Sequence, residues 1–264
     1  MGVLNVTPDS FADGGRYLDP ARAVEHGLQL VAEGAHILDV GGESTRPGAA
    51  PVPAAEQLRR LLPVVRALAS RSEVLISVDT SDPEVIDAVL DAGAGLINDV
   101  RALRMPGALA AVTRRGAAAC LMHLRGEPAT MQEQVQYADV CATVRAYLAE
   151  RLAQCVAAGM DPARVCLDPG FGFGKRPADN LALLRRLGEL TALARPVLVG
   201  LSRKSWLAAL TGRGVAERLA GSVALATIAV LHGAHIVRAH DVAATVDALR
   251  VAHAVAVGQS DQTS

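Results

Sequence analysis

The stretch VLISVDTSDPEVIDAVLDAGAGLI, residues 74–97, reads as a buried strand, a helix and the start of a second strand. Residues 74–78 form a short apolar run, which is typical of a strand in a parallel sheet covered on both faces. Asp82 then provides a capping side chain directly before Pro83, and Gly93 ends the helical pattern. The stretch therefore predicts one strand–helix unit of an α/β fold.

The same alternation extends along the whole chain. Eight apolar runs predict strands at residues 3–6, 36–40, 74–78, 96–97, 118–122, 165–167, 196–199 and 236–237. Helical periodicity follows them at residues 20–32, 54–70, 83–92, 107–114, 137–158, 180–190, 205–231 and 242–257. Dividing 264 residues among eight units gives 33 per unit, the size of a strand–helix unit with its loops. We therefore predict a single-domain (β/α)8 TIM barrel over residues 1–257, with a doubly wound open sheet as the alternative. Residues 258–264 are predicted to be a polar, disordered tail.

Composition narrows the class of protein. The hydrophobic content of 51% and the net charge of -1 exclude a disordered chain. The 26 Lys and Arg residues are balanced by 27 Asp and Glu residues without a basic block, so nucleic acid and membranes are not expected as partners. Residues 219–231, the longest weakly polar stretch, are too few to span a bilayer. We expect a cytoplasmic protein without a signal peptide, whose cysteines are buried and reduced: Cys120, Cys141, Cys155 and Cys166.

Polar or ionisable residues follow every predicted strand. They are Asn5, Asp39, Asp79, Asn98, His123, Asp168, Ser202, Lys204, Arg238 and His240. Because the carboxyl ends of barrel strands meet at one face, we expect these side chains to lie close together. Turn formation explains any single Asp or Asn equally well, but it does not call for Lys204, Arg238 and His240. The set therefore predicts a binding site.

The residue types in this set indicate the chemistry of the ligand. Carboxylates and amides form paired hydrogen bonds with the edge of a heterocycle that carries ring N–H and amino groups. The cations Arg46, Lys204 and Arg238, together with His240, favour a bound phosphate. Oxygen ligands outnumber any Cys/His cluster, so Mg2+ held largely by substrate phosphates is favoured over zinc.

Three glycine-rich segments follow the predicted strands. Residues 7–15, TPDSFADGG, and 41–48, GGESTRPG, are interpreted as lids, with plain flexible connections as the alternative. Residues 168–175, DPGFGFGK, match neither a P-loop nor a dinucleotide fingerprint, and they are interpreted as backbone that approaches a flat ligand while Phe rings pack against it. All three Phe residues, Phe11, Phe171 and Phe173, thereby fall at the predicted site.

The motifs, taken in order, resemble one known family. MGVLNVTPDSFADGG, ILDVGGESTRPGA, ISVDTSDPEVI, INDVRAL, CLMH, LDPGFGFGK, LVGLSRKS and RAHDV strongly resemble the dihydropteroate synthases of bacterial folate biosynthesis, from residue 1 to about residue 257. The resemblance implies that the protein is a transferase, and enzymes of this family are the targets of sulfonamides. It would condense (7,8-dihydropterin-6-yl)methyl diphosphate with 4-aminobenzoate to give 7,8-dihydropteroate and diphosphate. It also implies a requirement for Mg2+ and a homodimer, although burial within the monomer equally explains the apolar last helices.

The resemblance also implies a role for each matching residue. The pterin would lie on Asp79, Asn98, Asp168 and Lys204, with Asp39 and Met122 nearby. Asn5 would bind Mg2+, and the diphosphate would lie against Arg238, His240, Arg46 and Asn5. The 4-aminobenzoate pocket would consist of Thr45, Pro47, Phe173, Ser202 and Phe11. The expected catalytic residues are Asp79, Lys204 and Arg46.

Two other functions remain open at this point. One is a methyltransferase that moves a methyl group from methyltetrahydrofolate to a corrinoid protein, and the other is a non-catalytic pterin-binding homologue. The STRPG and SRKS segments argue against the methyltransferase, because its reaction has no 4-aminobenzoate or diphosphate to hold. A non-catalytic homologue would be expected to lose lid or phosphate residues, yet Asn5, Arg46, Lys204, Arg238 and His240 are retained. Members of the family usually carry a short leader before the first motif, whereas this sequence opens inside the first strand. We therefore expect either a start upstream of Met1 or another cover for the bottom of the barrel.

Overall fold

The computed structural model describes residues 1–7, 19–44, 50–126, 130–131 and 135–257. Eight parallel strands lie within these ranges: β1 (Gly2–Asn5), β2 (Ile37–Gly41), β3 (Leu75–Asp79), β4 (Leu96–Asp99), β5 (Ala118–Met122), β6 (Val165–Asp168), β7 (Leu198–Gly200) and β8 (Ile236–Arg238). β1 to β6 pair in chain order, and β7 pairs with β8. This order is the one that a closed barrel requires.

Two isolated bridges close the ring. Gly2 pairs with Ala239, which joins β8 to β1, and Leu167 pairs with Val197, which joins β6 to β7. Across the first of these seams, the backbone N–H of Val3 donates to the Ala239 carbonyl at 3.0 Å. The strands therefore form the (β/α)8 barrel that the sequence predicts, and the open-sheet alternative is excluded.

Helices surround the barrel in the described part of the chain. They are α1 (Pro20–Ala32), α2 (Ala54–Arg71), α3 (Pro83–Asp91), α4 (Ala108–Arg115), α5 (Val140–Ala157), α6 (Pro177–Arg185), α7 (Trp206–Thr211), α8 (Leu219–Leu231) and α9 (Val242–Val257). Side chains of Asp19, Asp82 and Asp139 accept backbone N–H groups at the starts of α1, α3 and α5. Capping by Asp before Pro is thus confirmed for α1 and α3.

The prediction of one helix over residues 205–231 is wrong. Gly212 ends α7 with a φ of +69°, a left-handed conformation that stops a helix. A 3-10 turn at Val215–Glu217 follows before α8 begins. The predicted helix over residues 180–190 likewise starts earlier, at Pro177, and gives way after Arg185 to a 3-10 segment at Leu187–Leu193.

The interior consists mainly of Val, Leu, Ile and Ala, the residues that fill barrel interiors in layers. All four cysteines are buried and free, as predicted. In the described ranges, no helix combines the length and the apolar character that crossing a membrane requires.

Candidate active site

Strand register brings the predicted site residues into one layer at the carboxyl end of the barrel. Asn5 pairs with Gly41, Gly41 pairs with Asp79, and Asp79 pairs with Asn98. On the next strands Met122 pairs with Asp168, and on the closing pair Gly200 pairs with Arg238. Partners across parallel strands point to the same side of the sheet. The register therefore places five of the predicted residues on one rim: Asp79, Asn98, Met122, Asp168 and Arg238.

Asp39, on β2, is hydrogen-bonded to side chains of three other strands just below this rim. Its buried carboxylate accepts hydrogen bonds from Ser77 Oγ at 2.6 Å, Asn98 Nδ2 at 3.1 Å and Arg238 Nε at 2.6 Å. The paired guanidinium and the two further donors compensate the cost of removing this carboxylate from water. Asp39 therefore fixes the directions of Asn98 and Arg238, and it lies behind them rather than at the open end.

Arg238 lies between two carboxylates. Its Nη2 atom is 3.5 Å from Asp79 Oδ2, in addition to the Nε contact with Asp39. Burial and the negative charge of Asp39 raise the pKa of Asp79 to about 7, although the positive charge of Arg238 opposes this shift. Asp79 is therefore poised to change its charge near neutral pH.

Lys204, in the loop after β7, and Asp168, at the end of β6, influence each other electrostatically. Lys204 Nζ lies over the ring of Phe173, 4.5 Å from its centroid. Burial lowers the pKa of Lys204 to about 8, and the carboxylate of Asp168 opposes this shift. Burial raises the pKa of Asp168, while the Gly170 N–H that donates to its Oδ1 at 2.7 Å lowers it. Gly172 adopts a φ of +82°, a conformation that favours glycine, and the stem of Lys204 packs beside it.

An apolar wall completes this side of the site. The buried residues Val100, Met122, Leu124 and Met131 form a small cluster, against which half-buried Phe173 packs. The structure therefore brings Met122 and Phe173 together beside Lys204. The prediction that Phe171 also packs against a ligand is wrong, because Phe171 is 1% exposed and belongs to the main core.

The loops after β7 and β8 are joined by short polar contacts. Ser202 Oγ lies 3.0 Å from His240 Nδ1 and accepts the His240 backbone N–H at 3.2 Å. Arg203, with a φ of +55°, donates to both carboxylate oxygens of Asp241 at 3.0 and 2.5 Å. Burial and the charge of Arg238 lower the pKa of His240 to about 3. His240 is thus a neutral hydrogen-bonding imidazole beside Arg238 and not one of the site's cations.

Four of the predicted site residues lie outside the described residues: Phe11, Thr45, Arg46 and Pro47. The described end of the second predicted lid is tied to α2. Glu43 accepts hydrogen bonds from the Val52 N–H and from Gln57 Nε2, both at 3.1 Å, and Thr80 Oγ1 donates to Gln57 Oε1 at 3.1 Å. These contacts connect the loop after β2 with the end of β3.

Sequence reasoning missed several residues that the structure places around this site. Ser77 and the Glu43–Gln57 pair were not singled out, and neither was the contact between His123 and Lys175. Ser77 could have been identified from the sequence, because it is the one polar residue in the otherwise apolar run at residues 74–78. No comparable signal exists for Gln57, because its position in α2 gives no indication that it points toward the site.

The metal prediction concerns Asn5 alone among protein side chains. Asn5 Oδ1 lies 3.4 Å from the point where a Cβ on Gly41 would stand, at the rim of the barrel. Across residues 1–7, 19–44, 50–126, 130–131 and 135–257, no three His, Cys, Asp or Glu side chains are grouped as a metal cage. A single amide oxygen fits a hard ion that takes most of its ligands from water and substrate.

The sequence matches the family of pterin binding enzymes over residues 1–240. It is 53% identical over 254 residues to the dihydropteroate synthase of Escherichia coli K12, an alignment that covers 96% of this chain and 90% of the relative.

Solved structures of dihydropteroate synthases share the fold of this chain. The dihydropteroate synthase of Yersinia pestis in complex with a sulfonamide drug superposes with a TM-score of 0.96 at 47% identity, covering 98% of this chain and 94% of that one. The Xanthomonas albilineans dihydropteroate synthase with 4-aminobenzoic acid has a TM-score of 0.92 at 51% identity, covering 98% and 93%. The same bacterium's enzyme in complex with 7,8-dihydropteroate has a TM-score of 0.88 at 48% identity, covering 98% and 94%.

Proposed function

Because the chain belongs to the dihydropteroate synthase family of pterin-binding enzymes, we propose how its own residues divide the work of that reaction. The protein condenses (7,8-dihydropterin-6-yl)methyl diphosphate with 4-aminobenzoate, and it releases 7,8-dihydropteroate and diphosphate. The observation that carries the assignment of residues is the single rim that joins Asp79, Asn98, Asp168, Lys204 and Arg238.

The pterin binds at this rim. Asp79 and Asn98 are partners across β3 and β4, and Asp168 lies opposite them with Lys204 nearby. Carboxylate and amide oxygens accept the ring N–H and amino groups, while Asn98 Nδ2 remains on Asp39 and keeps the amide turned with its oxygen free to accept. Lys204 donates to acceptors on the heterocycle. Met122 and Phe173 provide the apolar contact for the flat ring.

The reaction breaks the C–O bond between the pterin methylene and the diphosphate. The bonding electron pair leaves with the diphosphate, and the positive charge on the methylene is delocalised into the pterin. Ionised Asp79 stabilises that charge electrostatically. The neutral amine of 4-aminobenzoate then forms the C–N bond and loses a proton to solvent. No enzyme nucleophile is required, consistent with the absence of a GxSxG motif in the sequence.

Arg238, His240 and Arg46 hold the departing diphosphate. Arg238 keeps its Nε on Asp39 and presents its Nη groups toward the rim, where the contact with Asp79 is long at 3.5 Å. The neutral His240 accepts or donates through Nε2, because Nδ1 is engaged with Ser202 Oγ. Arg46, in the second lid, supplies the additional cation.

Mg2+ is the proposed cofactor, and Asn5 would contribute an oxygen ligand to it. The amide oxygen of Asn5 at the rim of the barrel fits that role, since a hard ion takes oxygen ligands and completes its shell with water and substrate phosphates. When bound, the ion neutralises charge that develops on the leaving diphosphate.

4-Aminobenzoate is proposed to bind against Phe173 and Ser202, with Thr45, Pro47 and Phe11 closing over it from the two lids. Since the lids complete this pocket, binding is ordered: diphosphate and pterin bind first. Titration of 4-aminobenzoate with pterin and diphosphate present should show much tighter binding than titration without them. Equal affinity in both titrations would contradict the order.

Diphosphate release tests the activity itself. Purified protein mixed with Mg2+, the pterin diphosphate and 4-aminobenzoate should release diphosphate, and omission of either organic substrate should abolish the release. Release at background level from folded protein would favour a non-catalytic pterin-binding homologue.

The pterin-binding domain is proposed to extend over residues 1–257, and the chain to form a homodimer in the cytoplasm. Exposed apolar residues on α8 and α9 suit a subunit interface: Ile228, Leu231, Val251 and Val255. Free buried cysteines suit a reducing compartment. Light scattering coupled to size exclusion should give twice the monomer mass, and Ile228→Glu should shift it toward the monomer. A monomeric wild-type protein would contradict the dimer.

A further inference from the structure

Lys175 is a buried amine surrounded by acceptors. Its side chain is only 3% exposed. Its Nζ atom lies 2.9 Å from the Gly170 carbonyl, 3.1 Å from the Phe173 carbonyl, 3.3 Å from the His123 carbonyl and 2.9 Å from His123 Nδ1. An amine removed from water needs such partners, and an ammonium has three hydrogens to distribute among these four acceptors.

The acceptors belong to two different loops of the site. Gly170 and Phe173 lie in the loop after β6, whereas His123 directly follows β5. The two backbones are in contact here, because a Cβ on Gly170 would stand 2.0 Å from the His123 carbonyl oxygen. The His123 N–H also donates to the Asp168 carbonyl at 2.9 Å. The buried Lys175 therefore joins the loop after β6 to the end of β5 through hydrogen bonds in the protein interior.

The protonation of His123 fits this arrangement. Burial, together with the positive charge of Lys175, lowers the pKa of His123 to about 2. The imidazole is thus neutral, and Nδ1 is free to accept from the amine when the ring proton resides on Nε2. The histidine acts as an acceptor built into the end of β5.

Phe173 connects this internal contact to the ligand site. Its carbonyl accepts from Lys175 on one side, and its ring carries Lys204 Nζ at 4.5 Å on the other. We propose that Lys175, held by His123, is a positioning residue that sets the loop from Gly170 to Gly174 and thereby the Phe173 ring of the 4-aminobenzoate pocket. This inference rests on the function proposed above. Burial lowers the pKa of Lys175 to about 7, although the carboxylate of Asp168 opposes this shift. The contacts give the lysine the role of an internal hydrogen-bond donor around which the loop carbonyls are arranged.

Lys175→Met tests the proposal, because methionine keeps the length of the side chain and removes its donors. The KM for 4-aminobenzoate should rise about tenfold or more, while the KM for the pterin diphosphate should change less than about threefold. The matched control is Arg176→Met, which removes a neighbouring cation whose guanidinium pairs with Asp179 at 3.0 Å on the exposed side. This control should leave both KM values near wild type.

Two substitutions of His123, one that keeps an acceptor and one that removes it, provide a second test. His123→Asn keeps an acceptor at the δ1 position and should stay within about threefold of the wild-type KM for 4-aminobenzoate, whereas His123→Leu should reproduce the Lys175→Met increase. This pair decides the proposal if Lys175→Met does not fold.

The outcomes separate this inference from the proposed function. Wild-type protein that releases no diphosphate contradicts the proposed function. An active wild type overturns the inference if folded Lys175→Met shows unchanged KM values or an equal rise in both. Equal behaviour of His123→Asn and His123→Leu overturns it as well.

Discussion

Two ionisable residues with opposite charges face the proposed pterin site, and burial shifts the pKa of each toward its neutral form. The pKa of Asp79 is raised to about 7 and that of Lys204 is lowered to about 8. In the proposed mechanism Asp79 is ionised to stabilise the methylene cation, and Lys204 is protonated to donate a hydrogen bond. The two requirements overlap only in a narrow range of pH.

We therefore expect kcat/KM for the pterin diphosphate to rise as pH increases through about 7 and to fall above about 8. The raised pKa of Asp79 also means that the folded state binds its proton more tightly than the unfolded state does. The stability from this residue is accordingly present at acid pH and lost as pH rises through about 7. Initial rates measured across this range test the profile. A flat profile would contradict these protonation roles.

Asp39 offers a second prediction at this scale. Asp39→Asn removes the buried charge that pairs with Arg238 at 2.6 Å, so the free energy of unfolding should fall by about 3 to 5 kcal/mol in urea titration. The acid limb of the rate profile should also move to lower pH, because the repulsion that raises the pKa of Asp79 is removed.

Asp91→Asn is the control for this variant, since it removes an exposed pair with Arg115 and should cost less than about 1 kcal/mol. Equal stability of the two variants, or an unchanged acid limb in Asp39→Asn, would contradict the central position of Asp39.

The sequence was informative at this scale wherever a side chain directly follows a strand. Asp79, Asn98, Asp168 and Arg238 lie where their positions predict, because strand ends converge in a barrel. Phe171 was misassigned, since alternation with glycine does not reveal which side of a loop faces the core. The contact of Lys175 with His123 joins residues 52 positions apart and has no local pattern.

At the scale of elements, the loop after β6 depends on glycine at one close approach. A Cβ at Gly170 would stand 2.0 Å from the His123 carbonyl oxygen, and the φ of +68° is itself unfavourable for other residues. Gly170→Ala should therefore lower the free energy of unfolding by more than about 3 kcal/mol, because the two loops must move apart. Thermal or urea unfolding measures this loss.

Gly116→Ala separates the contact from the backbone conformation. Gly116 has a φ of +60° at the end of α4, but a Cβ there would meet nothing within 4 Å. Its cost should be only about 1 kcal/mol. Similar losses of stability in the two variants would show that the backbone conformation, and not the contact with the loop after β5, explains the need for glycine at residue 170.

Helix boundaries were predictable where a capping signal exists in the sequence. α1 begins at Pro20 and α3 at Pro83, each after a capping Asp. The interruption between α7 and α8 was missed because apolar periodicity continues on both sides of it. Likewise, Ala102 and Leu103 adopt φ values of 52° and 57° in the loop after β4, where Asp99 and Arg151 hold the backbone. Such conformations depend on tertiary partners and not on residue type.

At the scale of the whole molecule, the number of strand–helix units predicted the barrel. Closure depends on two bridges. Gly2–Ala239 joins the two ends of the barrel through residues just outside the predicted strands, and Leu167–Val197 joins two consecutive predicted strands. Counting units predicts that a ring forms but not where its seams lie. Closure then brings β8 next to β1, so that Arg238 reaches Asp39 on β2, one strand further, across 199 positions of sequence.

The central claim is that the rim of the closed barrel forms dihydropteroate. Its most direct test measures 7,8-dihydropteroate and diphosphate together for the wild type and for Lys204→Met, with Arg203→Met as the control on the neighbouring residue. We predict equimolar products from the wild type, a loss of at least about a hundredfold in kcat/KM for Lys204→Met, and a smaller loss for Arg203→Met. No product from folded wild-type protein, or undiminished turnover by Lys204→Met, would contradict the account.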